Sequence, residues 1–183
     1  MEPVELRSGD LVLDQPTVDD IPIITAYCQD PIFERYLTLP WPYRRSDAEF
    51  FVNEFVPGGW STGAEATWAL RADGRFLGVV GVRLPSGMIG FWLGADNRGH
   101  GWMPRAVAAV ADWAFETGLA DPVRWECVVG NEASASVVRK AGFAFTGMSP
   151  ATVTSRDGSQ PESWHGELHS TDPRTPKAGW PIA

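Results

Sequence analysis

A short segment of the chain combines two glycines with the start of a helix, an arrangement that can bind an anion. Arg98-Gly99-His100-Gly101 follows an apolar run typical of a strand, and Pro104 fits the first residue of the helix that comes next. Backbone N–H groups in the first turn of a helix have no intrahelical partner, and glycine lets a phosphate oxygen approach them closely. Arg98 is placed to add a charge-assisted contact. The alternative is that the glycines only make a tight connection between a strand and a helix.

The spacing of this turn excludes two common phosphate-binding motifs. No Gly-Lys-Ser/Thr sequence follows it, as a P-loop requires. A dinucleotide fingerprint needs a third glycine after Gly101 and an early strand–helix–strand unit, and the sequence has neither. The turn therefore indicates a different phosphate-bearing cofactor.

A second candidate segment begins about thirty residues later, at Asn131. Asn131 is a preferred N-cap residue and Gly142 a preferred helix stop. Ser134 lies one turn past the cap and is expected to face a ligand held at the end of the preceding strand. The buried stripe of this helix is expected at Ala133, Val137 and Ala141. Taken singly, Asn131 and Ser134 are also explained as capping or solvated polar groups.

Glu126 lies within residues 123–129, which have the pattern of a strand covered on both faces. Burial raises the pKa of a carboxyl group and suits it to act as a general base. The alternative is that Arg124, two residues earlier on the same face, pairs with it, because buried charges usually need a partner. A base acting through water is a third option, so the sequence leaves the base unassigned.

Composition limits the partners and cofactors of the chain. Its 183 residues carry a net charge of −8, which disfavours nucleic acid as a partner because nucleic-acid-binding proteins usually present a basic face. Cys28 and Cys127 have no CxxC neighbour and no zinc-ligand spacing with the histidines, so buried reduced thiols and no metal are predicted. No basic leader, apolar signal core or membrane-spanning run is evident, which favours a cytoplasmic protein without a membrane partner.

The elements that must position these residues alternate between strands and helices. Strand patterns occur at residues 10–15, 67–71, 75–84, 88–94, 123–129, 143–147 and 163–168. Helices are predicted from Thr17 to about Gln29, from Ser46 or Asp47 onward, from Pro104 to about Thr117, and from Asn131 to Gly142. In the second helix, Phe50, Phe51 and Phe55 are expected to form the apolar face and Pro57-Gly58-Gly59 to end it.

This order predicts an α/β fold of the mixed α+β kind, with one mixed sheet and helices on both faces. Residues 1–169 are expected to form a single domain and residues 170–183 an irregular C-terminal tail.

The two polar segments together resemble the GNAT acyltransferases. Arg98-x-x-Gly101-x-Met103 is similar to the pyrophosphate motif of that superfamily. The series from Asn131 through Ser134 and Lys140 to Gly142-Phe143 is similar to the motif that follows it. Leu39-Pro-Trp-Pro-Tyr43 and Asp47-Ala48-Glu49 extend the resemblance over nearly the whole chain. It is nearest to the branch named for ribosomal-protein N-terminal-alanine acetyltransferases, the Rim type, and implies a mostly antiparallel sheet of about seven strands.

The resemblance also implies a role for each matching residue. Cofactor contacts would come from the backbone of the glycine turn, at Arg98, Gly99, His100, Gly101, Trp102 and Met103, and from Lys140. Met103 departs from the family, which usually has Gly or Ala there. Leu93, Gly94 and Ala95 would pair with the pantetheine arm where neighbouring strands splay, and the amides near Leu93 and Gly94 would polarise the thioester carbonyl.

The resemblance also implies which residues act in catalysis and which bind the acceptor. Asn131 would orient the acyl–pantetheine part, and Ser134 would serve the leaving thiolate in place of the tyrosine that many relatives use. Glu126 is the candidate base. Trp41 and Tyr43 would line the acceptor site.

The implied reaction is acetyl transfer from acetyl-CoA to a primary amine, on a small molecule or a peptide N-terminus, by direct attack in a ternary complex. One alternative is succinyl transfer, with Arg35, Arg44 or Arg45 meeting the extra carboxylate. Another is an acyl-CoA-binding module without catalysis. The resemblance also implies homodimer formation.

Overall fold

A single mixed sheet of eight strands forms the centre of the protein in the computed structural model, which describes residues 1–182. The strand order is β1-β2-β3-β4-β5-β6-β8-β7. The strands are β1 (Leu6–Ser8), β2 (Leu11–Asp14), β3 (Glu65–Ala72), β4 (Arg75–Arg83), β5 (Met88–Leu93), β6 (Val123–Val128), β7 (Ala144–Pro150) and β8 (Glu162–Leu168). Every neighbouring pair is antiparallel except β5 and β6. The predicted fold class is confirmed, and the additional strand, β1, is only three residues long.

Helices cover both faces of this sheet. They are α1 (Ile21–Tyr27), α2 (Pro31–Tyr36), α3 (Arg45–Phe50), α4 (Val56–Thr62), α5 (Trp102–Glu116) and α6 (Glu132–Lys140). The buried residues form two clusters, and in β3 Leu70 belongs to one cluster and Ala69 to the other. Successive strand residues point to opposite faces, so the clusters lie on opposite sides of the sheet. One contains residues of α4, α5 and α6, and the other contains residues of α1, α2 and α3.

The predicted helix that follows the glycine turn is confirmed as α5. Its buried face consists of Met103, Ala106, Val107, Val110, Ala111 and Ala114. Trp113 adds edge contacts, with ring centroids 5.8 Å from Trp60 and 5.0 Å from Trp68. Gly118, with φ of +68°, follows the helix as predicted. This apolar packing fixes the position of the α5 N-terminus against the sheet.

The helix predicted to end at Pro57-Gly58-Gly59 instead continues to Thr62. Residues Phe51–Phe55 form one π-helical turn between α3 and α4. This wider turn accommodates a proline ring that would collide with the carbonyl four residues earlier in a regular α-helix. Gly63, with φ of +73°, ends α4.

The apolar face predicted for this helix is also wrong. Phe50 is 53% exposed and Phe55 is 40% exposed. The residues that face the core are Ala48, Val52, Val56 and Trp60. The spacing of these four is regular, and the phenylalanines lie off that row.

The helix α2 was not predicted because six residues give too little periodicity. Its N-terminus is nevertheless specified locally. The Asp30 carboxylate accepts a hydrogen bond from the Ile32 amide at 3.0 Å, and Pro31 is the first helical residue. Phe33 is buried, and α2 contributes to the walls of both cavities described below.

The last residue of the predicted irregular tail, Ala183, lies outside the described residues, and up to residue 182 the chain after β8 contains neither helix nor strand. It is nevertheless packed on the domain. Trp180 is 8% exposed, and its indole N–H donates to the Phe143 carbonyl at 3.2 Å. Its ring contacts those of Trp125 and Phe145 at centroid distances of 5.6 and 5.5 Å. Within residues 1–182, no helix has the length and apolar character needed to cross a membrane.

Candidate active site

The parallel strands β5 and β6 diverge and open a cavity near the middle of the sheet. They pair only at Met88 and Arg124, close to their beginnings. A first cavity of about 330 Å³ lies beside the diverging C-terminal end of β5, between the N-terminus of α5, α6 and α2. Predicted cofactor residues that line it are Leu93, Arg98, Gly99, Gly101, Trp102, Met103, Asn131, Ser134 and Lys140. The other three, Gly94, Ala95 and His100, do not line it.

The glycine turn has the geometry of an anion-binding site. Gly99 and Gly101 have φ values of +83° and +77°, a backbone region that side chains disfavour. No protein atom lies within 4 Å of the position that a Cβ would take at either glycine. Helix α5 begins at Trp102, two residues earlier than predicted, so the first-turn amides lie beside this open space. Met103 is 2% exposed and packs in the core, so its side chain points away from the turn.

Arg98 is fixed by contacts within the protein. Its Nη2 lies 2.8 Å from Asp30 Oδ2, and its Nε and Nη2 donate to the Leu93 carbonyl at 3.2 and 3.1 Å. Burial opposes ionisation of Asp30, but hydrogen bonds from the Ile32 amide and Arg98 outweigh it and lower the pKa of this carboxyl. The charge of Arg98 is therefore balanced by Asp30, and its contact with a phosphate stays a prediction.

The Gly94 amide is not free to polarise a thioester carbonyl, so that part of the sequence-based assignment is wrong. It donates to the Leu77 carbonyl on β4 at 3.0 Å. A Cβ at Gly94 would lie 2.6 Å from the Tyr27 ring, which explains the glycine. Consecutive amides in a strand point to opposite edges, so the Leu93 amide points toward the opening between β5 and β6.

Asn131 and Ser134 are connected to each other and to β6. Asn131 Oδ1 accepts a hydrogen bond from the Ser134 amide at 3.3 Å, which confirms the predicted N-cap of α6. The Trp125 indole N–H donates to Ser134 Oγ at 3.2 Å. Because this contact occupies an acceptor position of the hydroxyl oxygen, the Ser134 O–H remains available to donate.

The predicted buried stripe of α6 is largely wrong. Ala133 is exposed and Val137 is half-buried, and both line the first cavity. The core-facing residues are Ala135, Val138 and Ala141. Alanine and valine occur on both sides of this short helix, so the spacing alone did not identify the buried side.

Glu126 is held by a loop and not by Arg124, so the predicted alternative pairing is wrong. Its Oε2 accepts hydrogen bonds from the Thr152 amide at 3.0 Å and hydroxyl at 2.6 Å, and its Oε1 accepts one from the Val153 amide at 3.0 Å. Arg124 instead pairs with Glu167 at 3.0 Å.

An imidazole on the adjacent strand lies close to the Glu126 carboxylate. His165 Nδ1 is 3.7 Å from Glu126 Oε2. His165 Nε2 is 2.9 Å from the exposed Ser149 hydroxyl. These three side chains form a polar row that leads from Glu126 to the surface.

A second cavity of about 540 Å³ includes Glu126 among its lining residues. It shares Tyr36 and Leu37 with the first cavity, so the two are adjacent. Further lining residues that the sequence did not single out are Glu34, Glu65, Gly90 and Arg156. Burial raises the pKa of Glu65, although Arg83, 3.3 Å away, opposes the rise. One sequence pattern could have indicated part of this lining. Asp30-Pro31 is typical of a helix start and marks α2, which contributes Glu34 and Tyr36 to the cavity.

Trp41 and Tyr43 line neither cavity, in contrast to the predicted acceptor wall. Tyr43 is 5% exposed and packs in the cluster that includes Cys28. Cys28 and Cys127 are both buried free thiols, as predicted, and this burial raises the pKa of each to about 12. His100 is exposed and stacks on Trp102 at a centroid distance of 4.7 Å.

The chain is similar to known proteins in sequence and in fold. Residues 10–144 match the family described as the acetyltransferase (GNAT) domain. A comparison with curated proteins gave no significant match. The solved structure of the microcin C7 self-immunity acetyltransferase MccE, in complex with acetyl-CoA and AMP, is 17% identical and aligns over 88% of this chain and 93% of that one, with a TM-score of 0.77.

Two further solved structures have the same fold. RimL, a ribosomal-protein alpha-N-acetyltransferase in complex with coenzyme A, is 16% identical over 91% of this chain and 98% of that one, with a TM-score of 0.79. Mycobacterium smegmatis RimJ, in complex with CoA-disulfide, is 15% identical over 92% of this chain and 87% of that one, with a TM-score of 0.77. At these identities the likeness shows a shared fold.

Proposed function

This chain belongs to the GNAT acetyltransferase family, and from that premise we propose that it transfers the acetyl group of acetyl-CoA to a primary amine on a small molecule or a protein N-terminus. The observation that carries the proposal is that one cavity lies both beside the diverging strands β5 and β6 and beside the glycine turn before α5. The opening between β5 and β6 admits an extended chain, and the glycine turn at the start of α5 offers free amides to a phosphate.

The residues of the first cavity fit acetyl-CoA. The pyrophosphate would lie on the amides from Arg98 to Met103, where Gly99 and Gly101 leave open space. Lys140 lines the same cavity and supplies a positive charge. The pantetheine arm would run along the edge of β5 at Leu93, toward Asn131 and Ser134 on the facing wall.

The reaction proposed is direct attack in a ternary complex. The amine nitrogen forms a bond to the thioester carbon, the carbon–sulfur bond breaks, and the sulfur leaves as a thiolate. The thiolate takes up the proton that the attacking nitrogen loses as it becomes an amide, so the products are the acetamide and free CoA. The Leu93 amide is placed to donate to the carbonyl oxygen as negative charge develops there. The Ser134 hydroxyl, held by Trp125, donates its hydrogen bond to the leaving sulfur.

The acceptor must lose a proton in this reaction because an ammonium has no lone pair with which to attack. Glu126 is the carboxylate of the second cavity that we assign to receive this proton. His165 lies beyond it, beside the exposed Ser149, on a path by which the proton can reach solvent.

Isothermal titration with acetyl-CoA, succinyl-CoA and free CoA tests the cofactor assignment. We expect micromolar binding with acetyl-CoA preferred over succinyl-CoA, followed by CoA release when a primary amine is added. Absence of heat with all three compounds contradicts the assignment. A preference for succinyl-CoA overturns the donor, and binding without turnover over a broad amine panel indicates a module without catalysis.

A further inference from the structure

We propose that the second cavity selects a small aliphatic amine that carries at least two positive charges, of the diamine class, as the acetyl acceptor. This inference rests on the proposed function and adds the substrate class to it. Three observations support it: the open space at Gly90, the charges of the lining residues, and the hydrogen bonds of Arg156 across one side of the cavity.

Part of the cavity wall consists of backbone without a side chain, at Gly90, and we call this part the floor of the cavity. Gly90 on β5 lines the cavity and pairs with Gly81 on β4. Apart from Gly90 itself and its two chain neighbours, no described residue has an atom within 4 Å of the position that a Cβ would take there, and its φ lies outside the left-handed region. The glycine is therefore not required by the backbone conformation or by packing, and it leaves space for a ligand.

Glu126 borders this space and has no arginine or lysine partner among the described residues. The register Met88↔Arg124 places Gly90 and Glu126 at equivalent positions of the parallel strands β5 and β6. An ionised carboxylate offers about four acceptor positions. Thr152 and Val153 occupy three of them, so Glu126 retains one position for a cation in the cavity.

The remaining charges of the lining also favour a cation. Its carboxylates are those of Glu34, Glu65, Glu126 and Asp157, and its guanidinium groups are those of Arg35, Arg83 and Arg156. Only Arg83 forms an ion pair with a lining carboxylate, that of Glu65, within the described part of the chain. Four carboxylates and three guanidinium groups therefore leave the lining with one net negative charge.

The arginines of the lining are engaged elsewhere. Arg156 donates to the carbonyls of Leu37 at 2.9 Å and Leu39 at 2.7 Å, and also to that of Glu34. Arg35 lies over the Tyr36 ring, 4.9 Å from its centroid. An acceptor with its own carboxylate would thus meet more carboxylates than guanidinium groups, whereas a second ammonium would meet a lining with net negative charge.

The same Arg156 contacts limit the size of the acceptor. They join the loop formed by residues 151–161 to the C-terminal end of α2, across one side of the cavity. Glu126 fixes the other end of this loop through Thr152 and Val153. A compact molecule fits a chamber bounded in this way, and about 540 Å³ is within the range of small-molecule sites.

A matched series of acceptors tests the inference with the intact protein and acetyl-CoA. The series is 1,4-diaminobutane, butylamine, 4-aminobutyrate and a short peptide with a free N-terminal serine. We expect kcat/KM for the diamine to exceed that for butylamine by about tenfold, the factor that corresponds to about 1.4 kcal/mol of additional binding. The aminobutyrate should be the poorest of the three small compounds. An equal or higher kcat/KM for butylamine, for the aminobutyrate or for the peptide overturns the inference.

Gly90→Leu supplies a test in the protein itself. The leucine would occupy the open floor, and we expect kcat/KM for the diamine to fall by at least about tenfold while acetyl-CoA affinity is unchanged. Gly58→Leu is the matched control, because Gly58 also has no neighbour within 4 Å but lies in α4, outside both cavities. Equal turnover of the diamine by the Gly90 variant and the unmodified protein contradicts the site.

The two proposals fail in different ways. Loss of acetyl-CoA binding in the unmodified protein would overturn the proposed function. Acetyl-CoA binding with turnover of butylamine or the peptide in preference to the diamine would leave the function standing and overturn only the acceptor class.

Discussion

At the scale of single residues, the N-cap contact between Asn131 and Ser134 could be predicted because it depends on local sequence. An N-cap interacts with an amide three positions later, so Asn131 and the backbone of Ser134 meet in any helix that begins there. Trp125 could not be predicted as the partner of Ser134, because the contact requires β6 and α6 to be packed together. Glu65 and Arg156 could not be predicted to line the second cavity either, because they are far apart in the sequence and are brought together only by the tertiary fold.

The hydrogen bond from Trp125 leads to a prediction about Ser134. Ser134→Ala removes the proposed donor to the leaving sulfur, and we expect kcat to fall by about 10²-fold, the lower end of the range for a positioned proton donor. Acetyl-CoA affinity should change little, because the backbone amide of residue 134 still binds Asn131. Steady-state kinetics and titration calorimetry measure these two quantities separately.

Ser134→Thr is the control for this prediction, since it keeps a hydroxyl at the same position. It should retain most of the activity that the alanine variant loses. Equal activity of the alanine variant and the unmodified protein would show that the thiolate leaves without help from Ser134.

At the scale of secondary structure, patterns that repeat over many residues predicted elements correctly, and patterns altered by one backbone irregularity did not. The helix α5 and the two strands on either side of the turn at Asp73-Gly74 were predicted. In the helix that contains Pro57, a π turn allows the helix to continue through the proline. Sequence rules treat proline as a helix stop because they assume regular geometry on both sides of it.

The glycine turn before α5 yields a prediction at this scale. Gly101→Ala places a side chain at φ of +77°, which we expect to lower the free energy of unfolding by about 1 kcal/mol. The new methyl group also enters the space where the pyrophosphate is proposed to lie, so acetyl-CoA affinity should fall as well. Chemical denaturation and titration calorimetry of the same variant provide both measurements.

Gly74→Ala distinguishes the two effects. Gly74 has φ of +72° and open space around its Cα, but it lies in the turn between β3 and β4. We expect a similar loss of stability with unchanged acetyl-CoA affinity. An equal loss of affinity in both variants would mean that the effect of Gly101 acts through stability and not through the cofactor.

At the scale of the whole molecule, the order of strands and helices followed from the sequence except for β1 and α2, but the relation of the tail to the core did not. An irregular tail was predicted for residues 170–183, and the described residues 169–182 form no helix or strand. Irregular backbone still packs when it carries a large apolar side chain. Trp180 covers Trp125 and Phe145, so the tail completes the packing around the indole that holds Ser134.

Trp180→Ala therefore tests whether the tail is part of the cooperative unit. Removal of a buried indole leaves a cavity and an unpaired Phe143 carbonyl, and we expect the free energy of unfolding to fall by about 3–5 kcal/mol. Trp180→Phe should cost less, because it keeps a ring against Trp125 but not the hydrogen bond. Urea denaturation followed by circular dichroism measures both values. A loss below about 1 kcal/mol for the alanine variant would mean that the tail lies on the domain without stabilising it, since a buried tryptophan replaced in a core costs several times more.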